Sequence, residues 1–409
     1  MKFYSRLSFA DDLVILSESQ AGLQTSLNKL EKYCYKWQLT VNTNKAKILI
    51  FQGNNHSYSN CFYKNLSLAE VKEYNFLGNI IDNKGRFTKS AQELSKKGLK
   101  AFFSLKKYLS EFLHVPVELS CKLFDSLIRP IILYNSEIWY MEDYYYIYKA
   151  ENRSKAHGSN CDKLSFVDRF SFEKLHHKFC KAALGIKKTS CNISAKSELG
   201  RLPLDSFIKT QVMLYYSRIQ SDGINPLVKE AFNINKNISN ENIYTWYTFA
   251  TEIFKEVELN KNNFEDFNKP FLLVKDTFKN TFKKTIKEKY EEKILEKISN
   301  LDDSSKLFLH VYSKLKTDIK LEDYLKLTKK INNRQLLTKF RTSDHPLEIE
   351  LGRYKKIPRH QRLCKTCKVL DDEIHFFLQC QINNNLRNVL INNIKKYHAN
   401  FDQLDFFPN

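Results

Sequence analysis

The sequence predicts an α/β N-terminal piece of antiparallel strands and one helix, then a mostly α-helical region and a small zinc-binding tail. Three observations carry that expectation. Apolar runs of strand length bracket one amphipathic helix in the first 86 residues, helical apolar spacing dominates from residue 87, and three of nine cysteines gather with a histidine near the C-terminus. Hydrophobic residues make up 42% of the 409, too many for a disordered chain. Only 10 Gly and 8 Pro argue against collagen, Gly/Ser linkers and turn-dense all-β folds.

Taken in order, residues 6–9 and 13–16 read as strands on either side of a short turn. Leu23, Leu27, Leu30, Cys34 and Trp37 recur every three or four residues, which predicts a helix over 20–37 packed on a sheet. Strand-like runs follow at 47–51 and 75–81, and Asp82-Asn83-Lys84-Gly85 supplies a turn. Beyond Phe87, Leu94, Leu99, Phe102, Leu105 and Leu109 share one helix face, and Pro116 restarts a helix carrying Leu119, Leu123 and Leu127. Arg129-Pro130 should bend the chain. Residues 151–160 read as a polar break, 170–184 and 203–219 as helices, 233–242 as a loop, and 275–299 as a solvated Lys/Glu-rich scaffold helix. The division expected is 1–86, 87–145, 146–339 and 340–409.

The 66 Lys+Arg exceed the 46 Asp+Glu, a net charge of +20 that favours a polyanionic partner such as RNA or DNA through counterion release. A Lys- and Asn-rich composition inherited from a biased genome gives the same sum. No apolar run reaches the ~18–20 residues of a membrane span; the best, 123–140, is broken by Asp125, Arg129 and Glu137. No secretory signal precedes Asp11, and the odd cysteine count suits free thiols. An intracellular protein of the nucleus or cytoplasm is expected, without membrane contact.

Phe9-Ala10-Asp11-Asp12-Leu13 sets two adjacent carboxylates between apolar strands. Such a hairpin suits divalent metal catalysis of phosphoryl transfer, in which Mg²⁺ takes oxygen ligands; an ordinary Asp-rich turn is the alternative. The segment resembles the metal-binding signature of reverse transcriptases. With Leu13-Val14-Ile15-Leu16-Ser17, Trp37-Gln38-Leu39-Thr40-Val41-Asn42 and Lys45-Ala46-Lys47 behind it, it looks like the palm of non-LTR (LINE-like) retrotransposon polymerases. That resemblance implies Asp11 and Asp12 as Mg²⁺ ligands and Lys45 as a cation near the triphosphate. It makes Tyr74-Asn75-Phe76-Leu77-Gly78 a primer grip in which Phe76, Leu77 and Gly78 meet the template-primer. It extends to a thumb-like part in Leu123-Phe124-Asp125-Ser126-Leu127-Ile128-Arg129-Pro130. On spacing alone these last two stretches read as a buried hairpin and as packing. In the family a further palm carboxylate and the fingers lie upstream, whereas eight residues precede Phe9. The chain is therefore expected to begin inside a reverse transcriptase domain and not to polymerise alone. The alternative is a non-catalytic nucleic-acid-binding zinc protein, domesticated or decayed.

Cys364-Lys365-Thr366-Cys367, His375 and Cys380 form C-x2-C-x7-H-x4-C, four ligands that fill a structural tetrahedral Zn²⁺ site. With Phe340-Arg341-Thr342-Ser343-Asp344-His345-Pro346 leading in, it looks like the C-terminal Cys-Cys-His-Cys element of LINE-like polyproteins. Arg353, Lys356, Arg359 and Arg362, among further lysines and beside Tyr354, suit phosphate contact with base stacking. A zinc-stapled domain with a basic exterior is the competing reading.

Overall fold

The computed structural model describes residues 6–51, 60–109, 112–156, 167–221, 223–241, 243–257, 271–299, 310–328 and 330–401. Leu27, Ile48, Cys61, Tyr63 and Leu68 form a small N-terminal core, joined by partly buried Ile15, Leu23 and Leu30. The elements around it follow from the pattern. Strands β1 (Arg6–Phe9) and β2 (Asp12–Ile15) pair antiparallel, with Phe9 opposite Asp12. Helix α1 (Gln20–Lys36) starts where the Ser19 side chain accepts the Gly22 backbone N–H at 3.1 Å. Its Leu27 and Cys34 turn inward, as the spacing predicts.

The sheet is more divided than antiparallel runs suggest. Strand β3 (Lys47–Leu49) pairs in parallel with β6 (Ala69–Val71), and the chain between them includes the short hairpin of β4 (Phe62–Tyr63) and β5 (Leu66–Ser67). A crossover connection permits a parallel neighbour. The run at 75–81 divides into β7 (Glu73–Phe76) and β8 (Asn79–Asp82), an antiparallel hairpin with Phe76 opposite Asn79. After it, the Asp82 carboxylate accepts the Lys84 and Arg86 N–H groups at 2.9 Å each, closing the expected turn.

The larger core is helical. It gathers side chains from α2 (Thr88–Tyr108), α3 (Val117–Leu123), α4 (Arg129–Ile132), α5 (Ser136–Ala156), α6 (Ser171–Leu184), α7 (Asn192–Glu198), α8 (Leu204–Gln220), α9 (Pro226–Ser239), α10 (Trp246–Glu256) and α11 (Phe271–Ser299). Phe179 sits at its centre, 4.4 Å from Phe124 and 5.5 Å from Phe112 between ring centroids. Fully burying each such ring contributes roughly 1.5–3 kcal/mol. Between α3 and α4 the chain stays helical as a π segment, Phe124–Ile128, ahead of Pro130, which has no N–H to give the ladder.

Three stretches differ from expectation. Residues 151–156 continue α5, and 233–239 continue α9 because Asn225 caps its start, accepting the Leu227 N–H at 2.9 Å, and Phe232 anchors it in the core. On α11, Phe282, Ile286, Tyr290, Ile294 and Ile298 are buried at four-residue spacing. That helix is solvated on one face only, and its Lys/Glu content hid the other. Residues 157–160 lie outside the described residues.

The tail docks on the helical body. Helices α12 (His310–Leu315), α13 (Asp323–Leu327), α14 (Ile331–Arg341) and α15 (Glu348–Tyr354) precede the Cys/His element, and α16 (Asn384–Lys395) follows it. Leu199 and Leu321 form an antiparallel bridge beside Gly200, whose φ is +62°. Among the described residues no helix is long and apolar enough to cross a membrane. A Cβ at Gly200 would lie 2.4 Å from the Leu321 backbone N. Gly200→Ala should therefore lower the urea midpoint, by ~1 kcal/mol or more for the backbone conformation and ~1–3 kcal/mol for the overlap.

Candidate nucleic-acid and metal sites

Pairing Phe9 with Asp12 leaves Ala10 and Asp11 as the two turn residues of the β1–β2 hairpin. Ala10 takes φ 51°, a left-handed conformation that costs a residue with a Cβ roughly 1–2 kcal/mol. Asp11 and Asp12 are exposed, and the apolar residues on either side of them, Phe9 and Leu13, are exposed as well, so the flanks do not bury the acidic pair. Lys45 is also exposed, its backbone N–H held by Asn42. Among the described residues neither carboxylate nor Lys45 enters an ion pair, and no third ligand-type side chain gathers with the two acids.

The second hairpin is anchored to the helical body. Leu77 and Gly78 form its turn with φ 47° and 83°, both in the left-handed region of a primed hairpin turn. The Tyr134 hydroxyl donates to the Leu77 carbonyl at 3.1 Å, and a Cβ on Gly78 would stand 3.2 Å from the Tyr134 ring. Ser90 on α2 ties the other strand, accepting the Ile80 N–H and donating to Asn79. Phe76 and Leu77 are half-buried and Gly78 is exposed, so the hairpin tip reaches the surface against the segment after α4.

Near the C-terminus the structure brings Cys364, Cys367, His375 and Cys380 together, their ligand atoms all within 4.8 Å of one another. The Cys364 N–H donates to Val369 O at 2.8 Å and the Lys368 N–H to Cys364 O at 3.0 Å, a knuckle turn completed by Lys368 at φ 57°. Backbone N–H groups of Cys367 and Thr366 aimed at the Cys364 sulfur lower its thiol to about 7. The Cys367 and Cys380 sulfurs are 3.9 Å apart, close to the ~3.8 Å of two thiolates on one tetrahedral zinc with ~2.3 Å bonds and far from a disulfide. His375 is buried with neither ring nitrogen hydrogen-bonded. An imidazole in that condition fits a metal ligand, and the donor set fits zinc. The π turn His375–Gln379 carries the ring to the sulfurs, and Arg387 on α16 clamps it by donating to Phe377 O at 2.6 Å and Cys380 O at 2.7 Å.

The basic approach to the knuckle divides into two kinds of side chain. Arg362 donates to the carbonyls of Ile357 at 2.8 Å and Ile349 at 2.9 Å, and lies across Gly352. Arg353 pairs with Glu350 at 2.7 Å. Both guanidinium groups are engaged within the protein, whereas Lys355, Lys356, Lys365 and Lys368 are exposed and Arg359 is half-buried.

A buried ion network went unread in the sequence. Glu173, fully buried on α6, meets Lys196 Nζ at 2.9 Å and His176 Nδ1 at 3.2 Å, and accepts the Leu204 N–H at 2.8 Å. Asp168 joins Lys196 at 3.1 Å and His177 at 3.0 Å. Arg201 donates to His176 Nε2 at 2.7 Å and reaches Asp125 at 2.6 Å. Burial pushes the Glu173 carboxyl up, but Lys196 and the two histidines outweigh it and hold it well below the usual range. Asp168, also pushed up by burial, is held at about 2 by His177 and Lys196. Asp168, Glu173 and His177 have the spacing of metal ligands, yet the Lys196 ammonium already supplies the positive charge. The signal available was Glu173-Lys174-Leu175-His176-His177, polar groups at i, i+3 and i+4 on an otherwise apolar helix face.

Comparison with known proteins places the first hairpin in context. Residues 4–81 match a family model described as reverse transcriptase (RNA-dependent DNA polymerase). That span contains the Asp11-Asp12 turn, Lys45 and the β7–β8 hairpin to Ile81. The chain is 26% identical over 137 residues to a transposon-derived protein of Caenorhabditis elegans, covering 33% of this chain and 48% of that relative. It thus spans about half the length of the curated relative. No solved structure matches it.

Two outcomes follow from these sites. Elemental analysis of the purified protein should find one zinc per chain, and Cys380→Ser should abolish it; unchanged zinc in that variant would refute the site. The second concerns His176, which donates from Nδ1 to Glu173 and accepts at Nε2, so it is neutral, and burial lowers it from 6.5 to about 4. The unfolded state then binds more protons between those values. Its stabilisation is complete above about 6.5 and is lost as pH falls through about 4. Urea midpoints measured across that window should fall with acidity, less steeply in His176→Gln.

Proposed function

We propose that the protein is a retroelement product related to non-LTR reverse transcriptases, acting on RNA and DNA. The observation that carries the reading is the Phe9–Asp12 hairpin, formed at the acidic pair inside the span that matches the reverse transcriptase family. Asp11 and Asp12 would hold Mg²⁺, with Lys45 as the phosphate-side cation and Phe76, Leu77 and Gly78 as the grip on the primer end. Magnesium so held polarises phosphoryl oxygens. The chain's own contribution is to present two carboxylates on a strained turn, free of competing cations, and to fix the grip hairpin against Tyr134. The Cys364, Cys367, His375 and Cys380 element would bind Zn²⁺ structurally and orient the basic tail. Free thiols at every described cysteine suit a nuclear or cytoplasmic setting.

Alone, this chain would not polymerise, because in-line phosphoryl transfer with two metals needs more ligands than an exposed Asp pair supplies. The second reading, a nucleic-acid-binding zinc protein without catalysis, is favoured by the exposed position of that pair and by the complete Cys/His cluster. Primer extension on an RNA template with Mg²⁺ tests both. No extension is expected from the chain by itself; Mg²⁺-dependent extension that Asp11→Ala abolishes would establish an autonomous polymerase.

A further inference from the structure

Tyr354 ends helix α15 with half its surface exposed (50%). The Arg353 guanidinium lies 4.6 Å from its ring centroid, itself fixed by Glu350, so the ring is held in place rather than free to rotate away. Its hydroxyl meets the Thr189 hydroxyl at 3.3 Å. That contact joins the approach to the knuckle with the loop at 186–190, 165 residues earlier in the chain. Lys188 and Thr189 are exposed in this loop, and Lys355 and Lys356 are exposed next to Tyr354. The acids Asp344 and Glu350 are each neutralised, Asp344 by Lys187 at 2.9 Å and Glu350 by Arg353. A clamped aromatic ring among exposed lysines, with its neighbouring acids paired, suits a strand whose bases are unstacked and whose phosphates run alongside.

We propose that Tyr354, Lys188, Lys355 and Lys356 form one binding surface for single-stranded nucleic acid, continuous from the tail onto the 186–190 loop. It rests on the nucleic-acid reading above and narrows it to a strand that crosses between two parts of the chain. Arg353 and Arg362 have no direct contact in this scheme: the first supports the ring and the second braces the backbone.

The test is fluorescence anisotropy of the full chain with labelled 20-nucleotide oligo(dT), oligo(U) and a 20-base-pair duplex over a salt series. Tyr354→Ala should weaken both single strands about 5- to 100-fold. Tyr354→Phe, which keeps the ring and loses the Thr189 contact, should bind within about two-fold of the parent. Lys188→Ala should weaken binding and lower the salt slope by ~0.7. Comparing oligo(dT) with oligo(U) tells DNA from RNA. Parental binding by Lys188→Ala confines the footprint to the tail, and parental binding by Tyr354→Ala removes the stacking; either overturns the proposal while leaving nucleic-acid binding intact. Preference for the duplex also overturns it. No salt-dependent binding by the parent protein defeats both this surface and the reading it rests on.

Discussion

Glu173 and Lys196 meet at 2.9 Å in the interior, and the helical body is arranged around that pair. Removing two charges from water costs several kcal/mol per ion, which attraction offsets only when the remaining donors and acceptors are satisfied. Here they are: both Glu173 oxygens are engaged, and Lys196 reaches a second carboxylate. Through Arg201 the network reaches Asp125 in the π segment, so three stretches distant in sequence, at 125, 168–177 and 196–204, are held together. Losing one partner leaves a buried charge unpaired, typically ~3–5 kcal/mol, more than a trimmed methyl group costs.

The body so fixed receives both the β7–β8 hairpin and the C-terminal tail. Tyr134, just after α4, receives the β7–β8 hairpin, and Tyr140, Lys209 and Glu256 gather α5, α8 and α10 around Asp205. Glu198, adjacent in chain to the Lys196 network, receives Arg341 of α14 at 3.0 Å, and the Lys187 backbone donates to Asp344. The tail that carries the Cys/His cluster is therefore joined to the same region of the helical body as the ion network. The β1–β2 hairpin stands apart from this body, resting on the small N-terminal core through Ile15.

Much of this was legible one residue at a time. Helix α1 falls where Leu23, Leu27, Leu30 and Cys34 place it, within one residue of the expected end, and the four knuckle ligands converge as their spacing requires. Patterns failed where a polar residue had a tertiary role. The second half of α9, 233–239, read as loop because asparagines surround its apolar residues, although Ile234 and Ile238 are partly buried alongside Phe232, and Lys/Glu-rich α11 read as solvated although five apolar residues sit on one face. Arg362 read as a phosphate contact, but its carbonyl partners come from Ile349 and Ile357, which no local spacing reveals.

What the sequence determined by itself was chemistry that is local: the acidic pair in a turn between apolar runs, the Cys/His spacing, the basic excess and the amphipathic stripes. Tertiary structure decided which charges face solvent. Of the basic residues near the knuckle it locked two arginines into the fold and left the lysines exposed, and it set Tyr354 beside a loop 165 residues away. The physical reason is that a charged side chain's role depends on whether its partner is water, a carbonyl or an opposite charge, and that partner is supplied by chain folding, not by neighbours in sequence.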